Sequence, residues 1–178
     1  GQKMFGVHTF KNGDSALGLS IGFRNSYDRS LSIGIATGSS VFVCDNLCLS
    51  GDLTVLRKHT TNVLDDINGL ALSAIYKSRS AFNQIKADAE VMKQIPMTDD
   101  EAYRMLGLIY GRGIINPRMI PVVKKEWLDP SHDAFEERNL WSFYNAVTES
   151  LKSSPPQSIM ERHLAVHKQL MEPYRVVA

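Results

Sequence analysis

The sequence has few cysteines and no long apolar run, and each lack excludes a class of protein. Its two cysteines, Cys44 and Cys48, lie in 178 residues, too few for the disulfide framework of a small secreted domain. No apolar run approaches the ~18 residues that a membrane span requires. Its glycines fit neither a P-loop nor a dinucleotide-binding fingerprint. We therefore expect a soluble cytoplasmic protein with reduced thiols and no membrane partner.

An excess of charge of one sign is also lacking. The 20 Lys and Arg residues nearly balance 19 Asp and Glu residues, which excludes a polycation but leaves room for a local basic patch. A content of 43% hydrophobic and 22% charged residues is typical of a globular chain. We predict a single α+β domain over residues 1–178. Because strand-like sequence follows Gly1 almost at once, we expect a fragment that lacks native N-terminal residues.

The first fifty residues alternate in the manner of β-strands. In segment 17–23, large apolar residues alternate with glycine and serine, which places Phe23 on a buried face. The small residues opposite indicate either solvent or an element packed very close to the backbone. Short turns, one of them at 38–40, favour an antiparallel β-meander over residues 1–52. The predicted strands are 4–9, 16–23, 31–37 and 41–49.

Helical periodicity replaces this alternation after residue 52, so residues 53–178 are predicted to be mainly helical. A long helix is expected from a cap at Thr61 or Asn62 to residue 93. Thr98 and Glu101 predict the capping box of a second helix. Prolines at 117 and 121 predict a short, irregular stretch. Two further helices are expected, over 135–152 and from 155 or 156 to about 171.

The densest basic cluster is Arg57-Lys58-His59, which lies between the last strand and the long helix. A helix N-terminus beside Arg and Lys suits an anion such as phosphate; a solvated basic stretch is the alternative. Arg24 and Tyr27, near a predicted turn, favour an exposed contact. The predicted nucleic-acid contacts are Arg24, Arg57 and Lys58 to phosphates, with His59 and Tyr27 as hydrogen-bonding or stacking groups.

The long helix carries further basic residues that form a weaker signal. Asp88 and Glu90 interrupt them in the sequence, which indicates an ordinary solvated helix face. The basic residues are Lys77, Arg79, Lys86 and Lys93.

The spacing of cysteines and histidines predicts neither a metal nor a catalytic centre. Cys44 and Cys48 with His59 lack a fourth ligand at zinc spacing, and the pair of histidines at 163 and 167 lacks the glutamate of a metalloprotease motif. A nucleophilic Cys44 with His59 and Asp45 can be drawn, but a strand cysteine is more often a small buried apolar residue. We predict a non-enzymatic protein with no catalytic residue, no metal and no cofactor.

Four blocks of sequence together resemble a phage/plasmid-related protein family of unknown function. The blocks are Arg24–Ser30, Gly38–Gly51, Arg57–Thr60 and Leu140–Glu149, and the resemblance spans residues 4–149. It implies a domain of unknown function encoded by a mobile genetic element, in the cytoplasm of a bacterial host cell. It also implies additional N-terminal sequence. It brings no established activity and no catalytic residues.

The order of a β-meander and one long helix is also similar to the core of single-strand annealing recombinases of phages. Those proteins bind single-stranded DNA in a basic groove between sheet and helix and assemble into rings or filaments. The analogy implies such a groove near Arg24, Arg57, Lys58 and His59, and it leaves a homo-oligomer open.

The leading hypothesis is a non-enzymatic mobile-element protein that binds single-stranded or duplex DNA during replication, recombination or host takeover. The alternative is a protein-interaction module that inhibits a host factor or acts as a scaffold for phage proteins, with no nucleic-acid binding. Near-neutral charge and a long amphipathic helix favour the alternative.

Overall fold

A computed structural model describes residues 3–10, 16–60 and 63–174. Four strands come first and five α-helices follow, so the predicted α+β class is confirmed. The strands are β1 (Lys3–Phe10), β2 (Leu17–Ser26), β3 (Ile33–Val41) and β4 (Asn46–Arg57). The helices are α1 (Val63–Lys93), α2 (Asp99–Gly111), α3 (Ile120–Leu128), α4 (Leu140–Leu151) and α5 (Ile159–Met171).

The strands form one antiparallel sheet in the order β1-β2-β3-β4, which is the predicted meander. The predicted turn at residues 38–40 was wrong, because Ser39 and Ser40 pair with β4 inside the sheet. The chain reverses at residues 42–45 instead, where Asp45 adopts a φ of 54° that Asp tolerates better than most residues. The strand region also continues to Arg57 rather than ending at residue 52.

Gly38 marks an irregularity in the ladder between β3 and β4. The register shifts between Ala36 and Gly38, and a Cβ at Gly38 would collide with the backbone carbonyl of Cys48 and with the side chain of Leu49. A strand glycine at such a close backbone approach is needed for its missing side chain.

We predict that Gly38→Ala destabilises the protein by about 1–3 kcal/mol, because backbone atoms must move to admit the methyl group. Gly107→Ala is the matched control. Gly107 is exposed within α2 with nothing near its Cβ position, so alanine there should stabilise by up to about 1 kcal/mol. Urea unfolding of both variants measures the difference, and equal stabilities would contradict the packing argument.

The helices agree with the predicted pattern at both the long helix and the capping box. Thr98 N donates to Glu101 Oε2 at 2.7 Å, and Glu101 N donates to Thr98 Oγ1 at 3.3 Å. The predicted cap at Thr61 or Asn62 lies outside the described residues.

Two helical predictions need correction. The stretch expected to be irregular contains α3, which places Pro121 in its first turn, where proline is compatible with a helix. The helix expected over 135–152 begins only at Leu140, because Asn139 caps it by accepting a hydrogen bond from Ser142 N at 2.9 Å. Before it, Asp133–Phe135 form a 3₁₀ turn.

Helices pack on both faces of the sheet. On one face, Leu17 and Val41 join a core with Phe82 and Ile85 of α1, and α1 lies against β3 and β4 and reaches β2. On the opposite face, Ala36 and Leu49 pack against Met160 of α5. The small residues of that face therefore admit a helix close to the backbone, which is one of the two predicted explanations.

Phe23 was predicted to be buried, and that prediction was wrong. Its side chain is 39% exposed, although alternation places it on the same sheet face as Leu17. The reason is tertiary, since α1 packs mainly against β3 and β4 and leaves the outer part of β2 uncovered.

Candidate functional site

A buried polar joint connects the β3–β4 turn to α4. Asn46 Nδ2 donates to the carbonyl oxygen of Asn145 at 3.1 Å and to its Oδ1 at 3.3 Å. Asn145 Nδ2 in turn donates to the carbonyl oxygen of Trp141 at 2.9 Å. Both asparagines are almost fully buried, so these bonds lie away from water. The joint unites the second and fourth of the sequence blocks described above.

A small polar cavity of about 10 Å³ adjoins this joint, which is about the size that holds one water molecule. Asn46 Oδ1 and Ser142 Oγ line it, and both atoms are buried without a hydrogen-bond partner in the protein. The nearby carboxylates are already used, since Glu126 pairs with Lys125 and Glu149 pairs with Lys152. The arrangement therefore has the character of a structural joint rather than a reaction chamber.

We predict that Asn46→Ala and Asn145→Ala each destabilise the protein by about 1–3 kcal/mol, because each leaves a buried polar partner unsatisfied. The double variant should lose less than the sum of the two. Chemical denaturation of the four proteins measures this coupling, with the exposed Asn83→Ala as a control near zero. Strictly additive losses would show that the two side chains do not interact.

A second buried network joins α1, α5 and β4. His167 Nε2 lies 3.0 Å from Asp88 Oδ2, and His167 Nδ1 lies 3.5 Å from Cys48 Sγ. Gln84 Nε2 donates to the other carboxylate oxygen of Asp88 at 2.8 Å, and the ring of Tyr144 meets the imidazole edge-on at 6.0 Å. Asp88, Cys48 and His167 are at most 2% exposed.

The pKa values of the two buried histidines of α5 are shifted in opposite directions by their surroundings. Burial alone would lower the pKa of His167, but its electrostatic and hydrogen-bond interactions with Cys48 and Asp88 outweigh burial and raise that pKa to about 9. His167 is therefore an imidazolium at neutral pH and donates to both partners. Burial lowers the pKa of His163 to about 4, so that imidazole is neutral.

We predict a stability maximum near pH 6.5. The raised pKa of His167 contributes stability that is complete below its unfolded value of 6.5 and is lost as the pH rises through about 9. The lowered pKa of His163 removes stability as the pH falls from 6.5 toward 4. Free energies of unfolding between pH 5 and 10 should fall on the alkaline side by an amount on the order of 1–3 kcal/mol.

His167→Gln should remove most of this alkaline loss, while the exposed His8→Gln should retain it. An NMR titration of the wild-type imidazoles provides a second readout that does not require the variant to fold. A His167 midpoint below pH 6.5 would contradict the assignment.

Neither cysteine is placed for chemistry on a substrate. A thiol, a base and a carboxylate in sequence are typical of a nucleophilic catalytic centre, and Cys48, His167 and Asp88 lie in that order. A substrate cannot reach them, because all three side chains are buried. The Cys44–His59 pair is not assembled, because β4 separates the two residues by roughly 35 Å. Both cysteines are free thiols. Within residues 3–10, 16–60 and 63–174, no three His, Cys, Asp or Glu side chains converge to hold a metal ion.

The comparison with known families defines the chain more closely. A family described as "Domain of unknown function (DUF932)" matches residues 8–169. The chain belongs to this DUF932 family. No solved structure matches the chain. Among the described helices, none is long and apolar enough to cross a membrane.

The predicted basic site of this DUF932 chain is assembled in part. Tyr27, Arg57 and Lys58 are all exposed, and they lie at the same end of the sheet because Ile33 pairs with Arg57. His59 is half-buried, with Nε2 at 3.0 Å from the carbonyl oxygen of Leu31, so it holds the chain after β4 against the β2–β3 connection.

Arg24 was predicted to be exposed, and that prediction was wrong. Strand alternation points Arg24 toward α5, where it forms an ion pair with Glu161 and is 6% exposed. Burial lowers the pKa of this guanidinium, which remains charged at neutral pH because arginine has a very high reference value. Arg24 therefore connects the sheet to α5 rather than forming part of the exposed basic surface.

A basic pair, Arg79 and Lys86, lies on one exposed side of α1 and was not predicted from the sequence. Asp88, which interrupts the basic residues in the sequence, is buried against His167. Between Asp66 and Glu90, the exposed charged side chains of α1 are Lys77, Arg79 and Lys86. The signal was present in the spacing, because Asp88 lies three residues after Ile85 and four before Met92, on the apolar face.

Proposed function

We propose that this protein is a non-enzymatic nucleic-acid-binding protein of a phage or plasmid, acting in the bacterial cytoplasm during replication, recombination or host takeover. The observation that carries the proposal is the exposed basic surface. We define this surface as Arg57 and Lys58 at the sheet end together with Arg79 and Lys86 on α1. The matching family is described only as a domain of unknown function, so it assigns no activity to the chain.

The basic surface suits a phosphate backbone better than a single anion. Arg79 and Lys86 are seven residues apart on α1, which places them on the same side of the helix and ~10 Å apart along its axis, and Arg57 lies only six residues before α1 begins. Spaced cations of this kind neutralise successive phosphates and release their counterions. The exposed rings of Tyr27 and Tyr76, 86% and 84% exposed, add groups on which bases can stack.

The mobile-element setting rests on the resemblance of the four sequence blocks. A protein that binds nucleic acid without a catalytic centre fits a role in handling DNA strands, and the similarity in element order to phage annealing proteins favours the same role. The DNA target is therefore the first ligand to test.

A second candidate function is a protein-interaction module. Leu72 and Ile75 are each 56% exposed on α1, and their spacing of three residues places them on one helix face. An apolar pair next to Tyr76 suits the groove of a partner protein. This reading gains support if nucleic acid fails to bind.

We predict that the wild-type protein binds a fluorescein-labelled 20-nucleotide strand or the matching duplex, with an affinity that falls at least tenfold between 50 and 200 mM salt. Arg57→Glu with Lys58→Glu should weaken binding by tenfold or more, because two attractions become repulsions. Fluorescence anisotropy measures both effects, and thermal unfolding checks that the variant remains folded.

The matched control is Arg104→Glu with Arg118→Glu, two exposed arginines of the helical half outside the basic surface. It makes the same change in net charge and should bind nearly as well as the wild type. Equal losses in both double variants would indicate a non-specific charge effect. No binding at tens of micromolar protein would refute the proposed function.

A further inference from the structure

The outer half of the sheet carries an uncovered row of aromatic side chains, which we call the aromatic face: His8 and Phe10 of β1 and Phe23 of β2. The ladder pairs Gly6 with Phe23, His8 with Ile21 and Phe10 with Leu19, so the three rings lie on one side of the sheet. Phe10 is 46% exposed and Phe23 is 39% exposed. Such rings would be core residues if a helix covered them.

The rings are held in place by their neighbours. Phe23 lies across Gly6, where a Cβ would overlap the ring, so the glycine allows the aromatic ring to lie against the strand. His8 and Phe10 meet edge to face, with centroids 4.6 Å apart and an interplanar angle of 76°. Ordered rings lose little conformational freedom when a flat ligand stacks on them.

The charges around the aromatic face favour a polyanion. The described strands β1, β2 and β3 contain no Asp or Glu. On the same side of the sheet lies α1, which reaches β2 and carries Arg79 and Lys86 on its exposed surface. Aromatic rings on strands without carboxylates, with exposed cations on the same side of the sheet, suit a single-stranded nucleic acid.

We propose that the aromatic face stacks against the unpaired bases of a single nucleic-acid strand while the basic surface contacts its phosphates. This inference rests on the proposed function and adds to it a preference for single strands. From Gly6, which pairs with Phe23, to Phe10 the strand extends ~13 Å, enough for a few bases. A duplex keeps its bases stacked inside the helix, so it can use the basic surface but not the aromatic face.

The test compares a labelled 20-nucleotide thymidine strand with a 20-base-pair duplex, for the wild type and for Phe10→Leu with Phe23→Leu. Leucine keeps an apolar side chain but removes the flat ring. We expect single-strand affinity to fall roughly ten- to hundredfold, while duplex affinity and the salt dependence stay unchanged, because the phosphate contacts remain. Phe10→Leu alone, a milder change, should cause a smaller loss of the same kind.

The control is Tyr103→Leu with Tyr110→Leu, which removes two exposed rings of α2 and should leave single-strand affinity unchanged. Undiminished binding by the Phe10/Phe23 variant would overturn the stacking inference and leave the proposed function standing. A parallel loss on duplex would also overturn it. If the wild type binds neither nucleic acid, both proposals fail. A change in molar mass by light scattering on substitution would assign the face to contacts between copies instead.

Discussion

The pairing of Asp88 with His167 is the interaction on which much of the remaining structure depends. It joins the C-terminal part of α1 to α5, and through His167 it reaches Cys48 on β4. A buried carboxylate is costly unless it is paired and hydrogen-bonded. The imidazolium of His167 and the amide of Gln84 supply both requirements. Because the carboxylate of Asp88 points inward, the exposed charged side chains of α1 between Asp66 and Glu90 are all basic, and the same contact thereby shapes the surface proposed to bind nucleic acid.

The joint between Asn46 and Asn145 performs a comparable task two residues earlier in β4, at the first residue of the strand. It connects a tight turn to a helix nearly a hundred residues later in the chain, through hydrogen bonds that have little competition from water. The two sequence blocks that contain these residues resemble a known family, and the structure provides a physical account of their polar residues. They hold the sheet against the helical half, which is a structural role.

Uneven coverage of the sheet explains the contrast between its two halves. Helices α1 and α5 pack against β3 and β4, and the small and polar side chains of β3 from Ala36 to Ser40 are buried. The β1–β2 half keeps exposed rings on one face. We propose that the basic surface contacts the phosphates of a single nucleic-acid strand and that the aromatic face stacks on its bases.

The amino-acid sequence by itself determined the local structure. Alternation predicted the antiparallel meander, helical spacing predicted the long helix, and Thr98 with Glu101 predicted a capping box, since each depends on contacts between near neighbours. Two local predictions were wrong. Pro121 was expected in an irregular stretch but lies in the first turn of a helix, and residues 38–40 were expected to form a turn but lie within the sheet.

Tertiary structure decided which of the candidate side chains reach solvent. Arg24 is buried because α5 places Glu161 beside it, and Phe23 is exposed because α1 packs elsewhere on the sheet. Asp88 is buried because it pairs with His167, which is 79 residues away in the sequence. Strand and helix periodicity show which face a residue occupies but not what covers that face. Whether a face is covered depends on the packing of elements that are distant in the chain. In this protein, that packing determines which of the candidate side chains are exposed.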